Sequence, residues 1–213
     1  HSAAELAALR ELLIRSYAGR LEPHNWRLAM LENWAYASRY LEPLDYFTGR
    51  VHLWRAAGGE IAAYLIRYYN MTYLQVLPAQ RALEADMLAW AEQHWAGEQG
   101  QIATMAYAHD LERLAVLAQR GYQDRGLIEY VHLYDLDRPD PEVRLPPGFR
   151  MISMAEHGSL ADRVALENAV WGVTLDEAWL RGKVSAPAYS LAWDLLAVSP
   201  EGALAGFSLV WVD

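Results

Sequence analysis

Apolar side chains near the start of the chain recur at the spacing of helix turns. Over residues 3–17 they return every three or four positions, which predicts an amphipathic helix. A second helix is predicted over residues 25–40, because Pro23 precedes this stretch, Pro43 follows it and proline is disfavoured in a helix interior. The apolar face of the first helix is formed by Leu6, Leu9, Leu13 and Tyr17.

From residue 51 onward the apolar pattern changes to the alternation that is typical of strands. Residues 51–54 and 61–69 are rich in β-branched and aromatic side chains and flank a glycine-containing turn over 56–59, so they predict a hairpin. Residues 72–77 predict a third strand, which Pro78 ends.

Further along the chain, predicted helices and strands alternate. Helical spacing of apolar residues returns over 81–95 and over 111–120, and Gly121 is placed to cap the second of these helices. Residues 102–107 and 127–136 predict strands between and after the helices. This mixture predicts the α/β class, in which helices flank a sheet.

A proline-rich stretch separates this part of the chain from the rest. Residues 139–148 contain four prolines and several charges, which predicts a linker between a domain over 1–138 and a domain over 149–213. After the linker, the pattern predicts a strand over 149–154, helices over 160–171 and 176–184, and hairpin strands over 195–198 and 204–212.

The two predicted hairpins resemble each other. When Gly59 is set against Gly202, Ile61 meets Leu204 and several later apolar positions also coincide. Each hairpin follows two predicted helices, so we infer two copies of one unit, although the alternative is that any two hairpins share such a pattern. The first copy has no strand before its helices and the second stops after its hairpin. We therefore expect a fragment of a longer protein, cut at both ends.

Composition excludes several function classes. The chain has no cysteine, which excludes disulfides, thiolate nucleophiles and cysteine-based zinc sites. Its net charge of −9 argues against a nucleic-acid partner and suits a cationic amine, although an acidic balance is also ordinary for soluble bacterial-type proteins. It has neither a secretory leader pattern nor an apolar run that could span a bilayer, so we expect a cytoplasmic protein without a membrane partner. Its 9 Trp and 13 Tyr favour self-association into a homo-oligomer.

The combined order of elements resembles the GNAT superfamily of acyl-CoA-dependent acyltransferases, in its tandem-domain type. That order is strand, two helices, hairpin, strand, helix, strand, helix and strand. The junction of a strand with Pro78 and the pair Gly121 and Tyr122 after a helix add to the resemblance. It covers most of residues 3–136 as one nearly complete domain and 149–213 as the opening half of a second. It implies a mixed, mostly antiparallel central sheet flanked by helices.

The resemblance also implies where a cofactor binds. In this family acetyl-CoA lies where the fourth strand splays from the fifth, with its pyrophosphate on the N-terminus of the next helix, in a loop patterned Gln/Arg-x-x-Gly-x-Gly/Ala. Here Arg81 fits the first position of that loop, and Glu84 stands at the glycine position, where its charge repels a pyrophosphate. The candidate acetyl-CoA-binding residues are Val76, Arg81, Ala82, Leu83, Glu84 and Ala85.

No catalytic residue is assigned. Many family members place a tyrosine, as general acid, where this chain has Leu117, which has no proton to donate. The remaining candidates are Tyr107 and Tyr122 for the general acid and Glu60, His109 and Asp110 for the general base; packing, solvation and helix capping are the alternatives.

Two functions follow from the resemblance. The first is an N-acetyltransferase that moves an acetyl group from acetyl-CoA to a small-molecule or peptide amine, with a degenerate first copy. The second is a catalytically inactive GNAT-like module that binds a small molecule or organises a partner domain. No metal site is expected, because the seven histidines show no close-spaced ligand motif.

Overall fold

A computed structural model describes residues 3–18, 23–37, 49–96, 100–126 and 144–211, together with the shorter stretches 129, 132, 137–139 and 142. Two sheets organise these residues, one in each half of the chain. None of the helices in the described ranges has the length and apolar character needed to cross a membrane. Most of the strand predicted over 127–136 lies outside the described residues.

The first helix, α1, spans Ala3–Tyr17 as predicted. Leu9 and Leu13 on its apolar face are buried, and Leu12 beside them is buried as well. Ile14 on the opposite side is exposed. This one-sided burial is what the spacing of apolar residues predicts for a helix that covers a sheet.

The second helix starts later than predicted. α2 spans Leu28–Glu32 and continues as one π-helical stretch over Asn33–Ala37. Residues 23–27 are not helical, because the side chain of Asn25 hydrogen-bonds to the backbone of Val76, which is distant in sequence. The pairing of Asn25 with a distant strand therefore prevents a helix in this stretch. Local sequence preference does not reveal such a long-range contact.

The first sheet has four strands in the order β1-β2-β3-β4. They span Val51–Arg55, Ile61–Tyr68, Met71–Val76 and Ala103–Thr104. The first three strands pair antiparallel, and β4 pairs parallel to β3. The sheet is therefore mixed and mostly antiparallel, as predicted, although β4 is much shorter than the strand predicted over 102–107.

Helices cover both faces of this sheet. A 3-10 helix over Pro78–Leu83 leads into α3, Glu84–Trp95, and α4 spans Leu111–Gln119. In β2, Tyr64 belongs to the core formed with α1 and α2, whereas Leu65 belongs to the core formed with α3 and α4. Alternate residues of a strand point to opposite faces, so β2 is buried on both sides.

The second half begins with strand β5 and contains three helices and a hairpin. Its elements are β5 Arg150–Ser153, α5 Met154–His157, α6 Leu160–Trp171, α7 Glu177–Val184, β6 Asp194–Val198 and β7 Leu204–Leu209. The three strands form an antiparallel sheet in the order β5-β6-β7. Asp176 caps α7, which accounts for its start one residue later than predicted.

The hairpins of the two halves have the same register. A constant shift of 143 positions, the difference between 59 and 202, converts every residue pair of β1 and β2 into a pair of β6 and β7. The bulge after Trp54 then coincides with the bulge after Ala197. The turn glycines have φ of 86° and 87°. The likeness of the hairpins therefore extends from sequence to geometry, while the division into two domains stays a prediction.

The two halves contact each other through α2 and α7. Glu32 of α2 is fully buried and accepts hydrogen bonds from the Ala188 backbone N–H at 2.8 Å and from the Arg10 guanidinium at 2.6 Å. Ala37 packs in one apolar cluster with Trp179 and Leu180. The predicted linker is thus accompanied by direct packing between the halves.

Candidate functional site

The strands β3 and β4 separate soon after they meet. They pair at Met71 with Ala103 and at Thr72 with Thr104, and within this described part of the sheet no later residues of the two strands pair. Val76 lies at the far end of β3, beyond the separation. A parallel pair that opens in this way leaves backbone N–H and C=O groups that need other partners.

The chain itself fills this opening. Residues 23–26, which we call the 23–26 segment, lie between the separated strands. Asn25 donates from Nδ2 to the Val76 carbonyl at 2.8 Å and accepts the Val76 N–H at Oδ1 at 3.1 Å. The Trp26 N–H donates to Oε1 of Gln75 at 2.7 Å. These bonds attach the segment to the end of β3.

Residues that follow β4 hold the segment from the other side. The Tyr107 hydroxyl donates to the Asn25 carbonyl at 3.4 Å, and Nε2 of His109 lies 2.8 Å from the Pro23 carbonyl. The Arg113 guanidinium donates to the His24 carbonyl at 2.5 Å. The segment therefore bridges the two sides of the opening.

The environment of the segment favours the neutral form of His24. Burial lowers the pKa of its imidazole, and the positive charges of Arg113 and Arg81 lower that pKa further. Its Nε2 atom lies 3.0 Å from the Val76 carbonyl. Because a carbonyl oxygen only accepts, Nε2 carries the proton and donates it, so the ring adds a second hydrogen bond to the same carbonyl as Asn25.

A cluster of four charged side chains lies beside the opening. Glu84, which is fully buried, accepts hydrogen bonds from Arg81 at 3.0 Å and from Arg113 at 2.9 Å. Arg81 also donates to Asp110 at 2.7 Å. Two carboxylates and two guanidinium groups leave the cluster without net charge, which is how buried ions are tolerated in proteins.

The predicted cofactor residues take different places in this arrangement. The Val76 backbone pairs with Asn25, while the Arg81 and Glu84 side chains pair with each other. Ala82 is exposed, and Leu83 and Ala85 are half-buried at the start of α3. The positive charge at the first position of the loop is therefore directed at three carboxylates, those of Glu84, Asp110 and the exposed Glu112. Acetyl-CoA binding at these residues stays a prediction.

Most of the candidate acids and bases have structural contacts. Asp110 caps α4 by accepting the Arg113 N–H at 3.2 Å, in addition to its bond with Arg81. Burial raises the pKa of the Tyr107 and Tyr122 hydroxyls, which disfavours their ionisation. Glu60 is exposed in the hairpin turn. Tyr107 and His109 are the candidates that face the opening, and both contact the 23–26 segment.

A second buried cluster lies in the other half, and the sequence analysis did not identify it. Arg163 donates to Asp194 at 3.1 Å and to Glu167 at 2.5 Å, and both Arg163 and Asp194 are fully buried. Tyr189 donates to Asp194 at 2.5 Å. Burial lowers the pKa of Lys183, whose amino group lies 3.9 Å from Glu167. The available signal was the spacing of Arg163 and Glu167, four apart on the buried face of α6.

Metal-binding geometry does not occur among the described residues, where no three histidine, aspartate or glutamate side chains are grouped to hold an ion. The carboxylates of both clusters are instead bound by arginine. The carboxylates of each cluster are thus satisfied mainly by ion pairs within the chain.

The fold is similar to that of a crystal structure described as a GCN5-related N-acetyltransferase from Sphaerobacter thermophilus. The alignment has a TM-score of 0.53 and 22% sequence identity, and it covers 100% of this chain and 70% of that chain. The chain has a GNAT-like fold. No protein-family model matches the sequence, and no curated protein matches it significantly.

The GNAT-like fold confirms the resemblance at the level of architecture. The mixed sheet, the two helices before the hairpin and the helices on both faces follow the predicted order. At 22% identity the likeness concerns the fold, and folds carry many functions. Function must therefore be argued from the contacts at the opening between β3 and β4.

Proposed function

We propose that this chain is part of a GNAT-type N-acyltransferase that moves an acetyl group from acetyl-CoA to an amine, and that its first half is a non-catalytic unit. The GNAT-like fold over the whole aligned chain supports the first statement. The contacts at the opening between β3 and β4 support the second.

The observation that carries this proposal is the occupied opening. The 23–26 segment binds both polar groups of the Val76 backbone, so these groups are not available to a ligand. Beside the opening, Glu84 is buried and the Arg81 charge is balanced by Glu84 and Asp110. A pyrophosphate at the start of this helix would be repelled by the Glu84 carboxylate, and the Arg81 charge that could attract it is already balanced.

The second half supplies the opening elements of the catalytic unit in this proposal. After strand β5, helices α6 and α7 and the β6–β7 hairpin occur in the order that the first half shows from α1 onward. In the reaction, the neutral amine attacks the thioester carbonyl, the C–N bond forms as the C–S bond breaks, and CoA leaves as a thiolate. The amine proton passes to a base or water, and no residue of the described ranges is assigned that role.

The second candidate function is a GNAT-like module without catalysis that binds a small molecule or organises a partner domain. The same occupied opening favours this function for the first half. The two candidates differ for the protein as a whole, because only the enzyme releases CoA when acetyl-CoA and an amine are both supplied.

Titration calorimetry of the chain with acetyl-CoA tests the proposal for the first half. We expect no heat of binding up to millimolar ligand. Micromolar binding that Arg81→Ala abolishes and Arg144→Ala retains would contradict a non-catalytic first half, because Arg144 is an exposed residue outside the opening.

An acetyl-transfer assay tests the proposal for the whole protein. Acetyl-CoA is supplied with a panel of small and peptide amines, and released CoA thiol is measured. Thiol release that depends on the amine is expected. Its absence with every amine, in a protein that carries this chain and a complete second unit, supports the scaffolding function instead.

A further inference from the structure

A single side-chain amide satisfies the backbone of Val76. Asn25 donates to the Val76 carbonyl at 2.8 Å and accepts from the Val76 N–H at 3.1 Å. A donor and an acceptor on one planar amide thus meet both polar groups of one strand residue. An extended chain pairs with a strand through the same two kinds of group, but its N–H and C=O come from two successive secondary amides, because those of one trans amide point in opposite directions.

The rest of the 23–26 segment is fixed at the same place. Asn25 and His24 are both buried, and the Trp26 N–H is bound to Gln75. Arg113 joins the segment to the charged cluster, because it donates to the His24 carbonyl and to Glu84. Glu84, whose negative charge opposes an anionic ligand, therefore also helps to hold the segment in the opening, because it binds Arg113.

We propose that the 23–26 segment is an internal ligand, in which the Asn25 amide supplies the donor and the acceptor that two successive amides of an extended ligand would supply between β3 and β4. The segment keeps the separated strands apart and denies the opening to an extended amide chain until it is displaced. The inference rests on the proposed function in one respect, since the amide chain in question is the pantetheine arm of CoA.

The second half offers a matched control for this arrangement. Asn168 donates from Nδ2 to the Leu175 carbonyl at 2.9 Å and accepts the Leu175 N–H at 2.7 Å. It therefore makes the same two-bond pairing with a backbone as Asn25 does. Asn168 lies in α6, away from the opening. Its replacement by alanine therefore removes a similar pair of hydrogen bonds but leaves the strand backbone at the opening covered.

The experiment compares Asn25→Ala with Asn168→Ala in the full chain, using thermal unfolding and D-pantetheine as the probe. Pantetheine carries two secondary amides and no phosphate, so the Glu84 charge does not exclude it. Both variants are expected to have a lower Tm than wild type. Only Asn25→Ala is expected to regain stability with pantetheine, by about 3 °C at concentrations several times the Kd.

A second readout covers the case in which Asn25→Ala fails to fold. His109→Ala removes the contact of an exposed side chain with the Pro23 carbonyl and leaves Asn25 in place. In this variant, hydrogen exchange at the peptide containing Val76 is expected to be faster than in wild type and to slow again when pantetheine is added.

Equal responses of Asn25→Ala and Asn168→Ala to pantetheine would overturn the internal ligand, as would unchanged exchange at Val76 in His109→Ala. These outcomes leave the proposed function intact, because neither measures acetyl-CoA binding by wild type. Wild-type binding of acetyl-CoA that Arg81→Ala abolishes in calorimetry would contradict the non-catalytic first half instead.

Discussion

Glu84 illustrates how one residue changes what a helix N-terminus can bind. A carboxylate in the first turn of a helix is ordinarily stabilised by the helix dipole and by water. Glu84 is fully buried and depends on Arg81 and Arg113 instead. Removing its charge would leave two guanidinium groups against one buried carboxylate, Asp110, within the cluster.

We therefore expect Glu84→Gln to lower the free energy of unfolding by about 3–5 kcal/mol. Glu112→Gln is the matched control, since Glu112 lies 3.3 Å from the same Arg81 but its side chain is 65% exposed. Its substitution is expected to change stability by less than about 0.5 kcal/mol. Urea unfolding measures the free energy of unfolding of both variants. A loss in Glu84→Gln as small as that in Glu112→Gln would mean that the buried cluster does not stabilise the fold.

The sequence allowed only part of this site to be predicted. Asp110 is recognisable as an N-cap because it precedes a helical pattern, and the structure confirms that role. The spacing of Arg81 and Glu84 suggests a local contact. Their pairing with Asp110 and Arg113, 29 positions later, depends on how α3 and α4 pack. Long-range contacts of this kind leave no periodic signal in a single sequence.

Among the elements, α1 and α6 have the predicted bounds, and sequence and structure also agree in the two hairpins. Their alternation, their turn glycines and their bulges follow from local preferences, and the register repeats under one shift. The elements predicted less well are those whose backbone pairs with distant residues. The second helix starts later than predicted because Asn25 pairs with the backbone of β3. Strand β4 is shorter than predicted, since the 23–26 segment lies beside the residues that follow it.

A prediction at this scale concerns the turn glycines. Gly59 and Gly202 have φ of 86° and 87°, a backbone conformation that residues with a side chain rarely adopt. Alanine at either position is expected to lower the free energy of unfolding by about 1 kcal/mol or more. The loss is expected to be similar in the two hairpins. Gly206→Ala is the control, because Gly206 has no positive φ and an added Cβ would meet nothing within 4 Å.

Urea unfolding of the three alanine variants measures these costs. A loss at Gly59 with none at Gly202 would contradict the equivalence of the two turns. A loss at Gly206 as large as that at Gly59 would show that the side chain itself, and not the backbone conformation, is responsible.

At the scale of the whole molecule, one buried carboxylate joins the two halves. Glu32 accepts from Arg10 in the first helix and from the Ala188 backbone in the second half. Apolar packing of Ala37 against Trp179 and Leu180 lies nearby. Cooperative unfolding of both halves therefore depends on a small contact region.

Glu32→Ala is expected to reduce stability by about 2–3 kcal/mol and to separate the unfolding of the halves. Hydrogen exchange at increasing urea would show peptides of α1 and β2 opening at a different concentration from peptides of α6 and β7. Glu177→Ala, which removes an exposed pair with Arg181, is the control and should leave the transitions together. Coincident transitions in Glu32→Ala would mean that packing alone couples the halves.

The 23–26 segment has a consequence for how the protein behaves in a cell. A protein that is stabilised by a diffusible ligand becomes less stable whenever the supply of that ligand falls. An occupant that belongs to the same chain is always present at a high effective concentration, set by the short connection to α2. Under the internal-ligand proposal, the stability of the first half is therefore expected not to depend on the concentration of acyl-CoA.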